Sequence, residues 1–439
     1  MRLADNDICR KEHAAVGFNS TFSKHLLSAS AFRQNLKIGI GEEYRLKFDS
    51  AREINTVILC EKGSHCASFS VFGEKTNGER VLLYENDVID RFLYCAFPKV
   101  KLKSVIVKIN QSDNGKPVKI TCIDAALHRN ENKDFRISVY FPIHTGSTYF
   151  TDHSQDKELD RAFDLITDAI VIGNARLRPD ATLDYDPETL KRELAAMRRI
   201  IGERRVRIWC CIFPTDRENM VRMIRKNSEK LLNTILTYCS DYGFQGVDFD
   251  WEYPILPHAW HAFGKLLQML KNALNGCDVP LAAAMSPWGV QLNGKAKDCL
   301  DFVNVMAYDW HKKNKRRHHS EFYSCHVYCA EYFKKLRFSD QQIFVGIPFY
   351  GKTFNNNDFR FRSYNLLEVH SKAQNTAVFE DREYYFNGYH LVYSKTAYNL
   401  DRGFGGVMIF AGCDDVPRDT GLSLYEAVES ALKDRMDSC

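Results

Sequence analysis

Downstream of residue 130 the sequence keeps changing its period, and that alternation limits the fold more than any other feature. Runs rich in β-branched and aromatic residues recur at Ile137–Phe141, Asp168–Ile172, Val206–Phe213, Gly246–Glu252, Leu281–Ser286, Phe302–Tyr308, Ile343–Tyr350 and Gly406–Phe410. Between them lie stretches with helical spacing of apolar residues, among them Pro187–Ile200, Glu218–Tyr242, Trp260–Leu274 and Ser324–Leu336. Strands that alternate with helices run parallel, because each helix carries the chain back to where the next strand must start. Eight such units in about 300 residues predict an α/β fold, a closed (β/α)8 TIM barrel. An open doubly wound sheet is the other arrangement of this pattern. It calls for a Gly-rich phosphate loop after its first strand, and the residues after Phe141 hold none.

The first 130 residues read differently. Short strand-like segments fall at Tyr44–Phe48, Asn55–Cys60, Ser68–Phe72, Arg80–Tyr84, Phe92–Phe97, Ser104–Ile109 and Val118–Ile123. Turn residues separate them, as in Thr76-Asn77-Gly78 and Asp113-Asn114-Gly115. This spacing predicts an all-β jelly-roll sandwich. The polar stretch from His128 to Asp134 reads as a linker, so the expected domains are 1–130 and 131–439.

Of the 439 residues, 45% are hydrophobic and 26% charged, enough for two cores without covalent staples. A net charge of +4 is too even to point to a nucleic-acid or membrane-surface partner. No run of about 20 apolar residues occurs, so no membrane span is expected. Met1–Asp7 lacks the apolar core of a secretion signal. The 14 cysteines show no zinc-ribbon spacing. The chain therefore reads as a cytoplasmic protein with reduced thiols, acting as a monomer; a processed or recloned form would instead be secreted, with some disulfides.

The stretch Gly246-Val247-Asp248-Phe249-Asp250-Trp251-Glu252-Tyr253-Pro254 carries the chemistry. In a strand its side chains alternate, so Asp248, Asp250 and Glu252 share one face and Phe249 and Trp251 the other. In a barrel the aromatic face meets the helices and the acidic face points inward. Three carboxylates about 6–7 Å apart inside a barrel cannot all be comfortably ionised. Some hold protons at neutral pH, as a general acid must. Glu252 stands highest, at the C-terminal rim where barrel active sites are built. An exposed edge strand or a Mg²⁺ or Ca²⁺ site are the other readings of such a cluster. No further ligand set surrounds it in sequence.

This stretch resembles the D-x-x-D-x-D-x-E signature of glycoside hydrolase family 18, the chitinases and endo-β-N-acetylglucosaminidases. The resemblance extends over about residues 135–435. Val305-Met306-Ala307-Tyr308-Asp309 is similar to that family's sixth strand, Val345–Gly351 to its seventh and Gly403–Met408 to the run leading through its eighth. The pattern departs at three places: Gln245 replaces the first Asp of the signature, Cys210-Cys211-Ile212-Phe213 replaces Ser-x-Gly-Gly, and Phe410 replaces a tryptophan. The resemblance implies retaining, substrate-assisted hydrolysis of β-linked N-acetylglucosamine glycans, with no cofactor and no metal. Glu252 would be acid and then base. Asp250 would orient the acetamido N–H, Asp248 would share a proton with Asp250, and Tyr308 would hydrogen-bond the acetamido oxygen. Met306, Met408 and Phe410 would line the floor, Tyr350 and Trp288 would stack on sugars, and Asp309 and Tyr253 would stand at the rim.

In the N-terminal domain, Ile54–Leu59 and Phe69–Tyr84 resemble a discoidin-like, galactose-binding-type jelly roll, which implies a possible sugar-binding module. The basic run Lys312–His319 reads as a solvated loop or as a contact for anionic groups on a glycan. A barrel that lost catalysis and kept sugar binding is the competing class, and the retained Glu252 argues for the enzyme. Chitin, N-glycan and peptidoglycan stay open as substrates, because subsite loops choose among them.

Overall fold

The computed structural model describes residues 32–128, 130, 134–216, 219–276, 278–310, 318–353 and 360–436. The chain divides into two compact units, residues 1–131 together with 434–439, and residues 132–433.

The first unit is an antiparallel sheet of β1 (Phe32–Ile38), β2 (Glu43–Glu61), β3 (Cys66–Glu74), β4 (Arg80–Asn86), β5 (Leu93–Ser112) and β6 (Val118–Ala126), in the order β1-β6-β2-β5-β3-β4. Segments expected as separate strands are joined here. Tyr44–Phe48 and Asn55–Cys60 both lie in β2, and Phe92–Phe97 and Ser104–Ile109 fall in β5, apart from Phe92, which precedes it. The β2–β5 register shifts between Lys47 and Arg52 and again between Ile54 and Thr56. Such irregularities bend a strand without ending it, which is why composition alone reads two strands. Before the shifts β2 alternates in exposure, and from Ile54 to Leu59 both of its faces are buried.

The C-terminal residues 434–439, expected with the barrel, group with this sheet unit. Arg435 is fully buried there and donates to the carbonyls of Phe97 and Asn55 and to the Thr56 hydroxyl. Arg435→Ala leaves those acceptors buried and unpaired, so it is expected to cost about 3 kcal/mol of stability in urea unfolding. A change below about 0.5 kcal/mol, the range of an ordinary surface substitution, would contradict this role.

In the second unit, β7 (Arg136–Pro142) and β8 (Asp168–Leu177) begin a parallel sheet, with β9 (Leu183–Asp184) antiparallel on the edge of β8. β10 (Arg207–Pro214), β11 (Gly246–Asp250), β12 (Leu281–Met285), β13 (Phe302–Val305) and β14 (Ile343–Pro348) continue it. Next, β15 (Tyr350–Thr353), β16 (Phe361–Ser363), β17 (Thr376–Phe379) and β18 (Arg382–Tyr385) form a separate four-stranded antiparallel sheet. β19 (Gly406–Phe410) closes the ring by pairing with both β14 and β7, while β8 pairs with β10. The closed eight-stranded parallel barrel is as expected. The inserted sheet is not, and Tyr350 opens that sheet rather than ending the seventh barrel strand.

Local chemistry explains the helices. Pro187–Ile201 starts where the Asp186 carboxylate accepts from the amides of Glu188 and Thr189, has Pro187 in its first turn, and stops at Gly202. The stretch 218–242, expected as one helix, is broken at Asn227 into Met220–Lys226 and Ser228–Tyr242. Helix Pro257–Asn275 buries Phe263, Leu267, Leu270 and Leu274 on one stripe, and Phe263 meets the outward rings of Phe249 and Trp251 at 5.6 Å each. At the N-terminal end of the barrel Trp209, Phe302 and Phe344 fill the interior, and Arg136, paired with Asp168, lies over Phe302. This packing closes one end and leaves the other for a site.

Candidate active site

The acidic face of β11 does point into the barrel. Its neighbours are small: Asp248 lies opposite Cys211 on β10 and Ala282 on β12, and Asp250 opposite Ala284. Those short side chains leave space where large residues would fill the barrel. A cavity of about 400 Å³ opens there, lined by Asp250 and Glu252 on one side and by Met306, Tyr308, Asp309, Tyr350, Met408 and Phe410 around it. Eight residues expected at the site are thus brought together.

Asp248 sits below the cavity, fully buried. It accepts from the Tyr140 hydroxyl at 2.8 Å and from Asn304 Nδ2 at 3.4 Å, and Asn304 also donates to the Tyr140 oxygen at 2.9 Å. Burial pushes its carboxyl up to about 6, and the hydrogen bonds from Tyr140, Cys211 and Asn304 hold it from rising further. Asp248 therefore exchanges its proton close to neutrality, directly beneath Asp250.

Tyr308 follows β13 and turns into the cavity, its ring edge-on to Tyr350 at 6.1 Å and tilted against Phe410 at 6.3 Å. Gly346 makes this approach possible, since a Cβ there would lie 2.8 Å from the Tyr308 ring and 2.9 Å from the Met408 methyl. Burial and the nearby Asp309, Asp250 and Glu252 push the Tyr308 hydroxyl well above its ordinary range, so it stays a hydrogen-bond donor. Asp309 takes a left-handed backbone conformation, φ 63°, which aspartate tolerates. Its carboxylate accepts from the Tyr350 hydroxyl at 2.9 Å and meets His319 and Lys352 at 3.2 Å each. Burial alone would raise its pKa, but the His319 hydrogen bond and the His319 and Lys352 charges hold it below the usual range. Asp309 is a fixed anion that braces the Tyr350 wall.

Two expected residues stand outside the cavity lining. Tyr253 packs against the barrel core and meets Trp288 edge-on at 6.3 Å. Trp288 is 46% exposed and packs against Trp310 at 5.7 Å. Conversely, the cavity uses Tyr140, Ile172, Phe361, Ser363 and Asp414, which sequence reasoning did not single out. Tyr140 carried a signal, being an inward position on the first expected barrel strand. Phe361 and Ser363 come from the inserted sheet, whose trace in the sequence is the long interval between the seventh and eighth strands. Burial raises the Asp414 carboxyl, and hydrogen bonds from Ser363 and Cys413 oppose that rise.

Of the basic run, Lys312–Arg317 lie outside the described residues. His318 uses both ring nitrogens, one with the Phe386 carbonyl and one accepting from the Ser320 amide. Among the described residues no group of three His, Cys, Asp or Glu side chains is placed to hold a metal ion, no cysteine is in a disulfide, and no helix is long and apolar enough to cross a membrane.

Behind Tyr308, Lys395 is fully buried and donates to the Ser320 carbonyl at 2.6 Å, the Ser320 hydroxyl at 2.9 Å and Asn387 at 2.7 Å. The Ser320 hydroxyl in turn holds the Ala307 carbonyl at 3.2 Å, next to Tyr308. Burial lowers the Lys395 pKa to about 7. Between pH 7 and the ordinary lysine range the unfolded chain then binds more protons than the folded one, so stability rises with pH across that window. Lys395→Met should remove this rise. Parallel slopes for the two proteins in urea unfolding from pH 7 to 10 would contradict it.

The sequence model described as "Glycosyl hydrolases family 18" matches residues 147–415. An endochitinase 1 from Metarhizium anisopliae is 22% identical over 47% of this chain and 59% of its own length. An oviduct-specific glycoprotein from Bos taurus is 28% identical over 33% of this chain and 31% of its own. The chain thus matches less than two thirds of the length of either relative. Among solved structures, a chitinase from Bacteroides thetaiotaomicron superposes with a TM-score of 0.57 at 19% identity, covering 69% of this chain and 97% of that one. A class V chitinase from Nicotiana tobaccum in complex with NAG4 gives 0.55 at 18%, covering 67% and 98%. The chitinase-like agglutinin from Robinia pseudoacacia gives 0.54 at 17%, covering 67% and 98%.

Proposed function

The chain belongs to the glycosyl hydrolases family 18, and from that membership we propose that it hydrolyses glycans containing β-linked N-acetylglucosamine, with retention and with the substrate's own acetamido group as nucleophile. The observation that carries this reading is the pair Asp250, the last residue of β11, and Glu252, two residues beyond it, both opening into an aromatic-lined cavity. Glu252 donates its proton to the glycosidic oxygen as that bond breaks. The acetamido carbonyl oxygen attacks the anomeric carbon from within the same sugar, so proximity replaces an enzyme nucleophile. Asp250 accepts from the acetamido N–H and faces the positive charge of the resulting oxazolinium ring. Asp248, exchanging its proton near pH 6, allows Asp250 to stay charged at that moment. Tyr308 donates to the acetamido oxygen, and Tyr140, Tyr350 and Phe410 give the sugar ring an apolar enclosure. Glu252, now ionised, takes a proton from water as it attacks the ring carbon, which restores the acid.

The substrate class includes chitooligosaccharides, in line with a solved neighbour that holds NAG4. We extend the proposal to the antiparallel sheet unit as a discoidin-like sugar-binding module. The agglutinin among the structural neighbours favours one other reading, a barrel that binds glycans and does not cut them. Incubation with chitooligosaccharides, N-glycans and peptidoglycan separates the two. Release of shorter products from any of them supports the hydrolase, whereas binding with no product from all three establishes the lectin.

A further inference from the structure

The hydrolytic steps above leave unused a buried cation behind the cavity wall. Lys395 belongs to helix Tyr389–Asp401, and Ser394, Thr396 and Asn399 of that helix are fully buried with it. A helix on the outside of a barrel ordinarily turns its polar residues to solvent. Lys395 instead donates inward, to the Ser320 carbonyl at 2.6 Å, the Ser320 hydroxyl at 2.9 Å and Asn387 Oδ1 at 2.7 Å. An ammonium carries three donors and no acceptor, so these oxygens use it completely. All of them are neutral. A charge buried against neutral oxygens is costly, and a methionine or leucine would fill the same space more cheaply.

The oxygens that Lys395 holds belong to the segments that fix Tyr308. The Ser320 hydroxyl has one proton. Lys395 meets its lone pair, which leaves that proton for the Ala307 carbonyl at 3.2 Å, in the peptide unit directly before Tyr308. The Ser320 amide donates to His318 Nδ1 at 3.0 Å, so Ser320 is tied down from its other side as well. Asn387 accepts from Lys395 with Oδ1 and donates from Nδ2 to the Pro348 carbonyl at 3.3 Å. Pro348 ends β14, the strand whose Gly346 lies against the Tyr308 ring. Lys395 therefore stands where two runs of hydrogen bonds meet. One leads to the backbone that carries Tyr308, and the other to the strand on which its ring packs.

We propose that Lys395 is a positioning residue for the hydrolysis: through Ser320 and Ala307, and through Asn387 and β14, it holds the Tyr308 hydroxyl where the acetamido oxygen arrives. This rests on the role proposed above for Tyr308. The acetamido oxygen must approach the anomeric carbon in line. A hydrogen bond that aims it acts on the rate of attack rather than on how tightly the rest of the sugar is held. Loss of the positioning therefore lowers kcat and leaves KM nearly unchanged.

The test measures kcat and KM of the full chain on the N-acetylglucosamine tetramer at pH 6, below the pKa of about 7 at which Lys395 loses its proton. Tyr308→Phe sets the scale, a loss in kcat of about fivefold for one hydrogen bond. Lys395→Met keeps the length and removes the charge. Ser320→Ala removes only the hydroxyl relay, and it carries the test by itself if Lys395→Met does not fold. Each is expected to lower kcat by about three- to fivefold, with KM unchanged within about twofold. In the Tyr308→Phe background neither should lower kcat further, because the group they position is gone. Unchanged kcat in the folded variants overturns the proposal. An equal further loss in the Tyr308→Phe background overturns it too, and would make Lys395 a packing residue only. Both of these outcomes leave the hydrolase reading standing. No turnover of the tetramer by the wild type overturns both.

Discussion

Glu252→Gln is expected to fold as the wild type does and to lose hydrolysis by about 10²–10⁴-fold or more on substrates with poor leaving groups. Glutamine keeps the shape and hydrogen-bonding reach of the side chain but has no proton to give to the glycosidic oxygen. The residue is half-buried just past the end of β11 and opens into the cavity, so the substitution leaves the packing on Phe263 untouched. A substrate with an activated aryl leaving group needs less protonation and should lose less of its rate than a natural glycan. The measurement is turnover on both kinds of substrate with the melting temperature as control. Near-normal turnover of a natural glycan by a folded variant would remove Glu252 from the acid role.

The second large effect concerns the nucleophile. If the acetamido oxygen attacks the anomeric carbon, β-linked N-acetylglucosaminides are cleaved and the matching glucosides are not. A glucoside lacks the attacking oxygen and the N–H that Asp250 accepts. A thiazoline that mimics the cyclised intermediate should bind much more tightly than the substrate, since it makes the contacts that develop at the transition state. Asp250→Asn should weaken that binding strongly, because the cationic ring loses its counter-charge. Tyr308→Phe should weaken it by about 1 kcal/mol, one hydrogen bond. Equal turnover of glucosides, or a sugar trapped covalently on a carboxylate, would replace this mechanism with the ordinary scheme of two carboxylates.

Both predictions rest on residues that were legible in the sequence. Asp248, Asp250 and Glu252 could be placed on one face because side-chain alternation in a strand is a local property, independent of what the strand packs against. The inward-facing Tyr308 and Met306 followed from the same rule, and the repeating strand–helix units required a parallel sheet whose strand ends gather at one rim. Local rules also misled where an irregularity intervened. β2 and β5 each continue through register shifts that composition reads as turns. Tyr350 belongs to an antiparallel insertion although it follows the seventh strand by a single residue.

By itself, then, the sequence determined the parallel barrel, the acidic strand and the end of the barrel at which the cavity opens. Only the tertiary structure decided what faces those carboxylates. Tyr140 reaches Asp248 across 108 residues and Asn304 meets Tyr140 across 164, and this network, with burial, sets the Asp248 proton near pH 6. The inserted sheet brings Phe361 and Ser363 to the cavity, while Trp288 stays outside its lining. The physical reason is that alternation along a strand tells which way a side chain points, whereas its protonation, its partners and the space before it depend on groups that only closure of the barrel brings within hydrogen-bonding distance.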